Sequence, residues 1–342
     1  LFLSPLLTLL GATPETAEAT TGYLKWTTCL GATPAILNVV MAYMVRSEGS
    51  ALHASVGTMS GCLLNIVLDP IFILPWGFHM GAAGAGFATC ISNCVACLYF
   101  FVLLFVRRGK TYVCINPKMF RLQRDVVLGV CGVGIPAAIQ NLLNVTGMTI
   151  LNNFTAVYGA NAVAAMGITQ KLSMIPMYIS QGLAQGIMPL ISYNYASGNI
   201  KRMKKTLFFA ARVIISFMVF MSVFYSLEAG TLIRLFMENE EIIAYGTRFL
   251  RGFCLALPFL CTDFLAVGVF QAVGMGRESF LFAVLRKIVL EIPALCILNA
   301  IFPLYGLAYA QTTAEVILAI AAVLVLRRMF KKLDRTFSQK NA

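Results

Sequence analysis

Apolar residues run along this chain in long blocks, and the polar residues gather between them. The blocks fall near 22–45, 55–76, 82–106, 126–155, 161–193, 206–227, 249–273, 280–302 and 306–326. Each has at least the roughly 20 residues a helix needs to cross the hydrocarbon of a bilayer. The alternating segments of about ten residues that mark a membrane barrel are absent. The pattern predicts an all-α, polytopic membrane protein with nine spans in this stretch.

The pattern also repeats. "YLKW" at residue 23 and "FLRG" at 249 are offset by 226, and "GAAGA" at 81 and "GLAYA" at 306 by 225. "RSEG" ending at Gly49 matches "QAVG" ending at Gly274, and Pro34 matches Pro258. "LTLLGATPE" at 7 aligns with "IRLFMENEE" at 233. Matching helices are six spans apart, so both copies cross in the same direction. That is a parallel repeat about an axis along the membrane normal. Three spans of the second copy have counterparts that would lie before residue 1. Twelve spans are therefore expected in the full-length protein, with nine and the end of another here. The expected lobes are 1–106 (the remainder of the N-lobe) and 126–328 (the C-lobe). A basic linker at 107–125 joins them, and a tail follows at 329–342.

Composition agrees with this picture. Of 342 residues, 59% are hydrophobic and 12% charged, with a mean hydropathy of +0.82; a soluble domain carries about 25% charged residues. The net charge of +12 would suit a nucleic-acid partner, but its distribution excludes one. With connections placed on alternate sides, Arg46, the 107–124 and 201–205 loops, Arg277 and the tail from Arg327 hold 18 Lys and Arg on one side. The other side has Lys25, Arg234, Arg248 and Arg251, together with most of the loop acids. Lys171, Arg212, Arg286 and Lys287 fall within spans. The basic side is expected in the cytoplasm, and with it the C-terminus. Its loops would meet anionic lipid. The ten cysteines lie mostly in apolar runs and read as small buried residues. His53 and His79 have no second His within helical reach. With no metal spacing, catalytic dyad or nucleotide loop, the chain reads as a non-enzyme without metal or cofactor.

Acids inside a membrane mark function by default. In "NIVLDPIFILPWG" (65–77), Asn65 and Asp69 lie one turn apart on one face. Pro70 removes a backbone hydrogen bond and is expected to kink the helix. An amide and a carboxylate placed so can hold a proton or a small cation such as Na⁺. The plainer reading is a capping Asp near a span end marked by Pro75 and Trp76. Asp263 lies mid-span beyond Pro258, in the slot the repeat gives to Asn38. Glu315 has no neighbouring base in sequence, so both acids are candidates to attract a cationic substrate. Glu291 has Lys287 one turn before it and Pro293 just after, and the pair could simply neutralise itself. The 126–193 region is rich in amides, with Gln140, Asn141, Asn144, Asn152, Asn153, Gln170, Gln181 and Gln185. Pro136 is expected to break its first helix. Some of these amides serve as interhelical glue. Others, with Met174, Met177 and Tyr178, would suit a pocket for varied apolar shapes.

"NIVLDPIFI", "GAAGAGFATCIS", "GIPAAIQN", "QGLAQGIMPLISYNYASGN" and "FQAVGMG" together resemble the multidrug and toxic compound extrusion (MATE) transporters, most closely their bacterial drug-efflux branch. The resemblance covers essentially the whole chain. It implies two six-helix lobes around a central cavity and export of organic cations driven by inward H⁺ or Na⁺. The implied coupling site is Asn65 and Asp69 with Thr89 on the following helix, plus an acid on a first helix. Where one branch places a coupling Glu, eight residues after the Pro of the seventh helix, this chain has Asn144. Asp263 resembles that branch's tenth-helix acid. Pro70, Pro136 and Pro258 are the expected hinges, and Asp263, Glu315, Gln140, Asn144, Met174 and Met177 the expected cavity residues. A monomer in the bacterial inner membrane is expected. The alternative is a lipid-linked oligosaccharide flippase of related architecture, which would want cationic cavity residues to meet a pyrophosphate.

Overall fold

In lipid no water is available to satisfy the backbone, so each crossing segment must satisfy its own hydrogen bonds. The structure, a computed structural model, answers with helices alone. It describes residues 14–75, 77–114 and 121–340, excepting the side chains of 14–16 and 336–340, and holds no strand among them. The helix end expected at the start of the chain, Trp76 and part of the linker lie outside the described residues. The chain divides into two compact units between Arg121 and Leu122.

The first unit contains α1 (Pro14–Leu24), a π-helical turn π1 (Lys25–Leu30), α2 (Ala32–Ser47), α3 (Ala51–Ile73) and α4 (Gly81–Val106). Its core is Met41, Ala42 and Val45 from α2, Ala54 from α3, and Phe100 and Leu104 from α4. Glu48, in the turn after α2, takes hydrogen bonds from the Thr111 hydroxyl at 2.8 Å and the Val113 backbone N–H at 3.0 Å. Val113 also packs on the core. The chain leaving α4 is thus pinned back onto its own unit. Arg107 reinforces that end, donating to Ser50 Oγ at 3.0 Å and lying 2.7 Å from His53 Nε2.

The second unit runs α5 (Arg124–Ala156), α6 (Ala160–Ala196), α7 (Ile200–Leu227), short α8 (Ala229–Arg234), α9 (Glu240–Ala272), α10 (Gly276–Val284), π2 (Leu285–Glu291), α11 (Ile292–Ile301) and α12 (Gly306–Lys340). Asn239 starts α9 by accepting from the backbone of Glu241 and Ile242, with acids in the first turn where the helix dipole favours them. α9 is the hub. It packs on α6, α7 and α12, and 72% of its most apolar stretch is buried, against at most 33% in any other span-length apolar helix. Small residues let neighbours approach it, and polar side chains bond to its backbone. Thr312 donates to the Gly252 carbonyl at 2.9 Å, and Ser222 to the Cys254 carbonyl at 2.7 Å.

Among the described residues, six helices are long and apolar enough to cross a membrane, and a seventh arises if the bent pair Ala17–Leu30 and Ala32–Ser47 is one span. The nine expected spans all correspond to helical runs, but two differ in character. Amides and serines dilute the hydropathy of α6, and 276–301 is divided into three pieces, none of span length.

The helices are not interrupted at Pro70, Pro136 or Pro258, each of which lies inside one. A proline removes one ladder bond, and the turns on either side hold the helix together. The sharp bend, 50°, lies between Leu30 and Ala32. There a π turn has shifted the hydrogen-bond register, and Pro34 cannot donate to the Leu30 carbonyl four residues back. Gly31 is required at the bend, since a Cβ there would sit 2.6 Å from the Trp26 carbonyl oxygen. Gly31→Ala is expected to destabilise the first unit by about 1–3 kcal/mol, seen as a lower midpoint of thermal unfolding in detergent. An unchanged midpoint would show that the bend tolerates a side chain.

Candidate functional site

In the first unit, α3 presents Asn65 and Asp69 one turn apart. Asn65 Nδ2 donates to Asp69 Oδ1 at 3.2 Å, and both side chains are half-buried. Thr89 on α4 is also half-buried, but its hydroxyl donates to the Ala85 carbonyl at 2.9 Å. Among the described residues no hydrogen bond joins Thr89 to the Asn65–Asp69 pair. A second polar string lies nearby in this unit: Asn38 donates to Asn93 at 3.3 Å, and Asn93 to the Thr89 carbonyl at 3.0 Å. Asn93 was not singled out from sequence, although it lies one turn beyond Thr89 in the same apolar run.

The second unit holds five charged side chains deep among its helices. Asp263 on α9, Arg286, Lys287 and Glu291 on π2, and Glu315 on α12 are each more than nine-tenths buried. The local cause is the π turn. Through Leu285–Glu291 the ladder runs in the wider i→i+5 pattern, and Pro293, just beyond it, has no N–H to offer the Val289 carbonyl. Residues 286 and 291 then share a face, with 287 beside them, and all three point inward.

Arg286 is the centre of this cluster. Its Nε donates to Glu315 Oε1 at 2.8 Å, and its Nη2 lies 2.7 Å from the same oxygen. Nη1 donates to Asp263 Oδ2 at 3.3 Å. The guanidinium also lies 5.4 Å from the centre of the Phe264 ring. Lys287 Nζ sits 2.7 Å from both carboxylate oxygens of Glu291, with Oε1 taking the hydrogen bond. Its stem lies against Gly147 of α5, where a Cβ would come within 3.1 Å of Lys287 Cδ and Nζ. Asp263 Oδ1 and Glu315 Oε2 are buried without a hydrogen-bond partner. Two cations therefore face three carboxylates, and each cation is spent on a carboxylate.

A cavity of about 280 Å³ adjoins this cluster. Amides line it (Asn141, Asn144, Gln170, Gln181, Gln311), with Met174, Met177, Phe253 and Phe264 as apolar wall, and Arg286, Lys287 and Glu291 at one side. Tyr178, largely exposed, marks where it opens.

The sequence-derived cavity residues thus divide. Asn144, Met174 and Met177 line the cavity. Gln140 lies on α5, half-buried, away from the lining. Asp263 and Glu315 also lie off the lining and cannot meet a ligand directly, because Arg286 holds both. The base that Glu315 lacked in sequence comes from another helix, 29 residues away. Lys287 and Glu291 do pair one turn apart, and they do so at the cavity wall. Arg286 was visible in the sequence only as a charge within a span. Its partial signal was Pro293, which, like Pro34, closely follows a π turn. Removing one member of a buried pair strands the other, so Lys287→Met is expected to cost about 3–5 kcal/mol, and adding Glu291→Leu to recover most of it. Chemical unfolding of the single and double variants checks this; equal stability of all three would mean the pair carries no burial cost.

Comparison with known proteins agrees with this architecture. The MatE family profile matches residues 136–297. The Multidrug export protein MepA of Staphylococcus aureus (strain bovine RF122 / ET3-1) is 33% identical over 328 residues, covering 95% of this chain and 70% of its own. The MepA protein of Staphylococcus saprophyticus is 33% identical over 319 residues, covering 93% and 69%. Among solved structures, a MATE protein in complex with MaL6 superposes with a TM-score of 0.90 at 26% identity, covering 97% of this chain and 74% of its own. The outward-facing conformation of a multidrug resistance MATE family transporter of the MOP superfamily also gives 0.90, at 25% identity, covering 98% and 75%.

Proposed function

The chain belongs to the MATE family of multidrug and toxic compound extrusion transporters, and from that premise we propose that it is an antiporter that exports organic cations in exchange for H⁺ or Na⁺. Drug export itself rests on the 33% identity to MepA across 95% of the chain. The protein is a multi-pass membrane transporter of the bacterial plasma-membrane type and not an enzyme. Its C-terminus is proposed to face the cytoplasm, on the basic side of the chain. It is proposed to act as a monomer.

The observation that carries the coupling reading is the Asn65–Asp69 hydrogen bond on a membrane helix, one residue before Pro70. A carboxylate in hydrocarbon prefers to bind a proton or a cation, and its neighbours decide when it lets go. The Asn65 amide offers its carbonyl oxygen as a further ligand. Thr89 donates its proton to Ala85, but its oxygen lone pairs stay available to a cation. Loading drives the cycle only if the ion prefers one access state over the other. Pro70, which leaves one carbonyl of α3 without a backbone donor, is proposed to let this helix adjust as the site loads.

The cavity of the second unit is proposed to hold the drug. Thioethers and aromatic rings accept varied flat shapes, while amides take either hydrogen-bond sense. The flippase alternative would need free cations to meet a pyrophosphate. Arg286 and Lys287 do line the cavity, but each already has a carboxylate within 2.8 Å, so neither is free for a phosphate.

Ethidium transport into inside-out vesicles under an imposed Na⁺ or pH gradient tests the proposal. One gradient should drive uptake, and Asp69→Asn should reduce uptake to that of empty vesicles while the protein still inserts. Uptake at the wild-type rate by Asp69→Asn would remove Asp69 from coupling.

A further inference from the structure

The cavity meets the buried cluster through one side chain. Arg286 lines it, whereas Asp263 and Glu315 lie behind the guanidinium and off the lining. We propose that Arg286 is a specificity-determining residue, a built-in monovalent cation that screens two carboxylates from the drug cavity and so sets the charge of the cation the cavity accepts. This inference rests on the reading that the cavity holds drug.

The physical case is one of charge and place. Asp263 and Glu315 are 1% and 0% exposed, so water screens neither of them. In that setting the guanidinium decides how much of their field reaches the cavity. One fork cannot satisfy both acids, since Asp263 Oδ1 and Glu315 Oε2 keep no hydrogen-bond partner. With both acids ionised against it, the triad carries one net negative charge; without Arg286 two unpaired carboxylates would not both stay charged in a dry interior unless another cation replaced the guanidinium. Beside it, Lys287 and Glu291 cancel one another. A cavity of this balance suits a ligand with one positive charge. With Arg286 removed, a second positive charge on the ligand would take the guanidinium's place.

Arg286 is held too firmly to be a passing neighbour. It makes ion pairs to α9 and α12 from a π turn, and Phe264 backs its face. Its planar fork reaches both acids at once, which a lysine at this position could not do.

Ethidium and propidium share one ring system but carry one and two positive charges. Their dissociation constants, read from dye fluorescence with the purified protein in detergent, give a ratio that reports charge preference. In Arg286→Gln the ratio should move toward propidium by about tenfold or more. In Glu315→Gln, an isosteric change that leaves Asp263 to hold the guanidinium, it should move toward ethidium by several-fold. If Arg286→Gln fails to fold, Glu315→Gln alone decides. Should both dyes bind and the ratio stay within twofold of wild type in each folded variant, Arg286 does not set the charge and the inference is overturned by itself. Should neither dye bind the wild-type protein, the drug-cavity reading fails and the inference falls with it.

Discussion

Bringing a guanidinium and two carboxylates out of water costs several kcal/mol for each ion, and only close, well-formed pairing offsets that cost. The second unit meets this condition around Arg286. One side chain on π2 holds an acid of α9 and an acid of α12, and these are the helices on which the unit's core converges. If α9 or α12 rotated by a fraction of a turn, a charge would be stranded in a dry interior. The cluster therefore constrains how the helices are set as well as what the cavity meets. Its dependence on geometry also explains the local irregularity. A regular α-helix through 285–291 would spread Arg286, Lys287 and Glu291 over about 140° of its surface, and the wider i→i+5 turn draws them toward one face.

The first unit makes a contrasting use of the same chemistry. Its acid, Asp69, has an amide for company and no fixed cation among the described residues. It is half-buried where Asp263 and Glu315 are fully enclosed. Asp263 and Glu315 are already paired with a tethered arginine, whereas Asp69 keeps lone pairs beyond those that its amide partner takes. On the proposed reading, the two units divide the work, with coupling in the first and drug binding in the second. The hydrogen bonds from Thr312 and Ser222 to the α9 backbone tie α12 and α7 to the helix that carries Asp263.

Much of the fold was legible in the chain. Helical class follows from block length, because a helix is the local answer to an apolar solvent and needs only its own residues to form. The Asn65–Asp69 contact was legible for the same reason, since it lies within one turn. So was the Lys287–Glu291 pair. Pro136 misled as the marker of a broken helix, because one missing donor does not interrupt the helical run. The bend at Gly31 and the turn at 285–291 depend on a shifted hydrogen-bond register, which the identity of a single residue does not announce.

The sequence by itself determined which segments are helical, where the basic residues gather, and which acids lie inside apolar runs. Each of these is a property of neighbours within a turn or two. Only the tertiary structure decided that Glu315 and Asp263 meet Arg286, that both stand behind the cavity wall, and that Asn144, Met174 and Met177 form that wall. Those partners come from different helices, and their meeting depends on the rotation and depth at which each helix packs. Periodicity fixes the face of a helix but not the neighbour it will find.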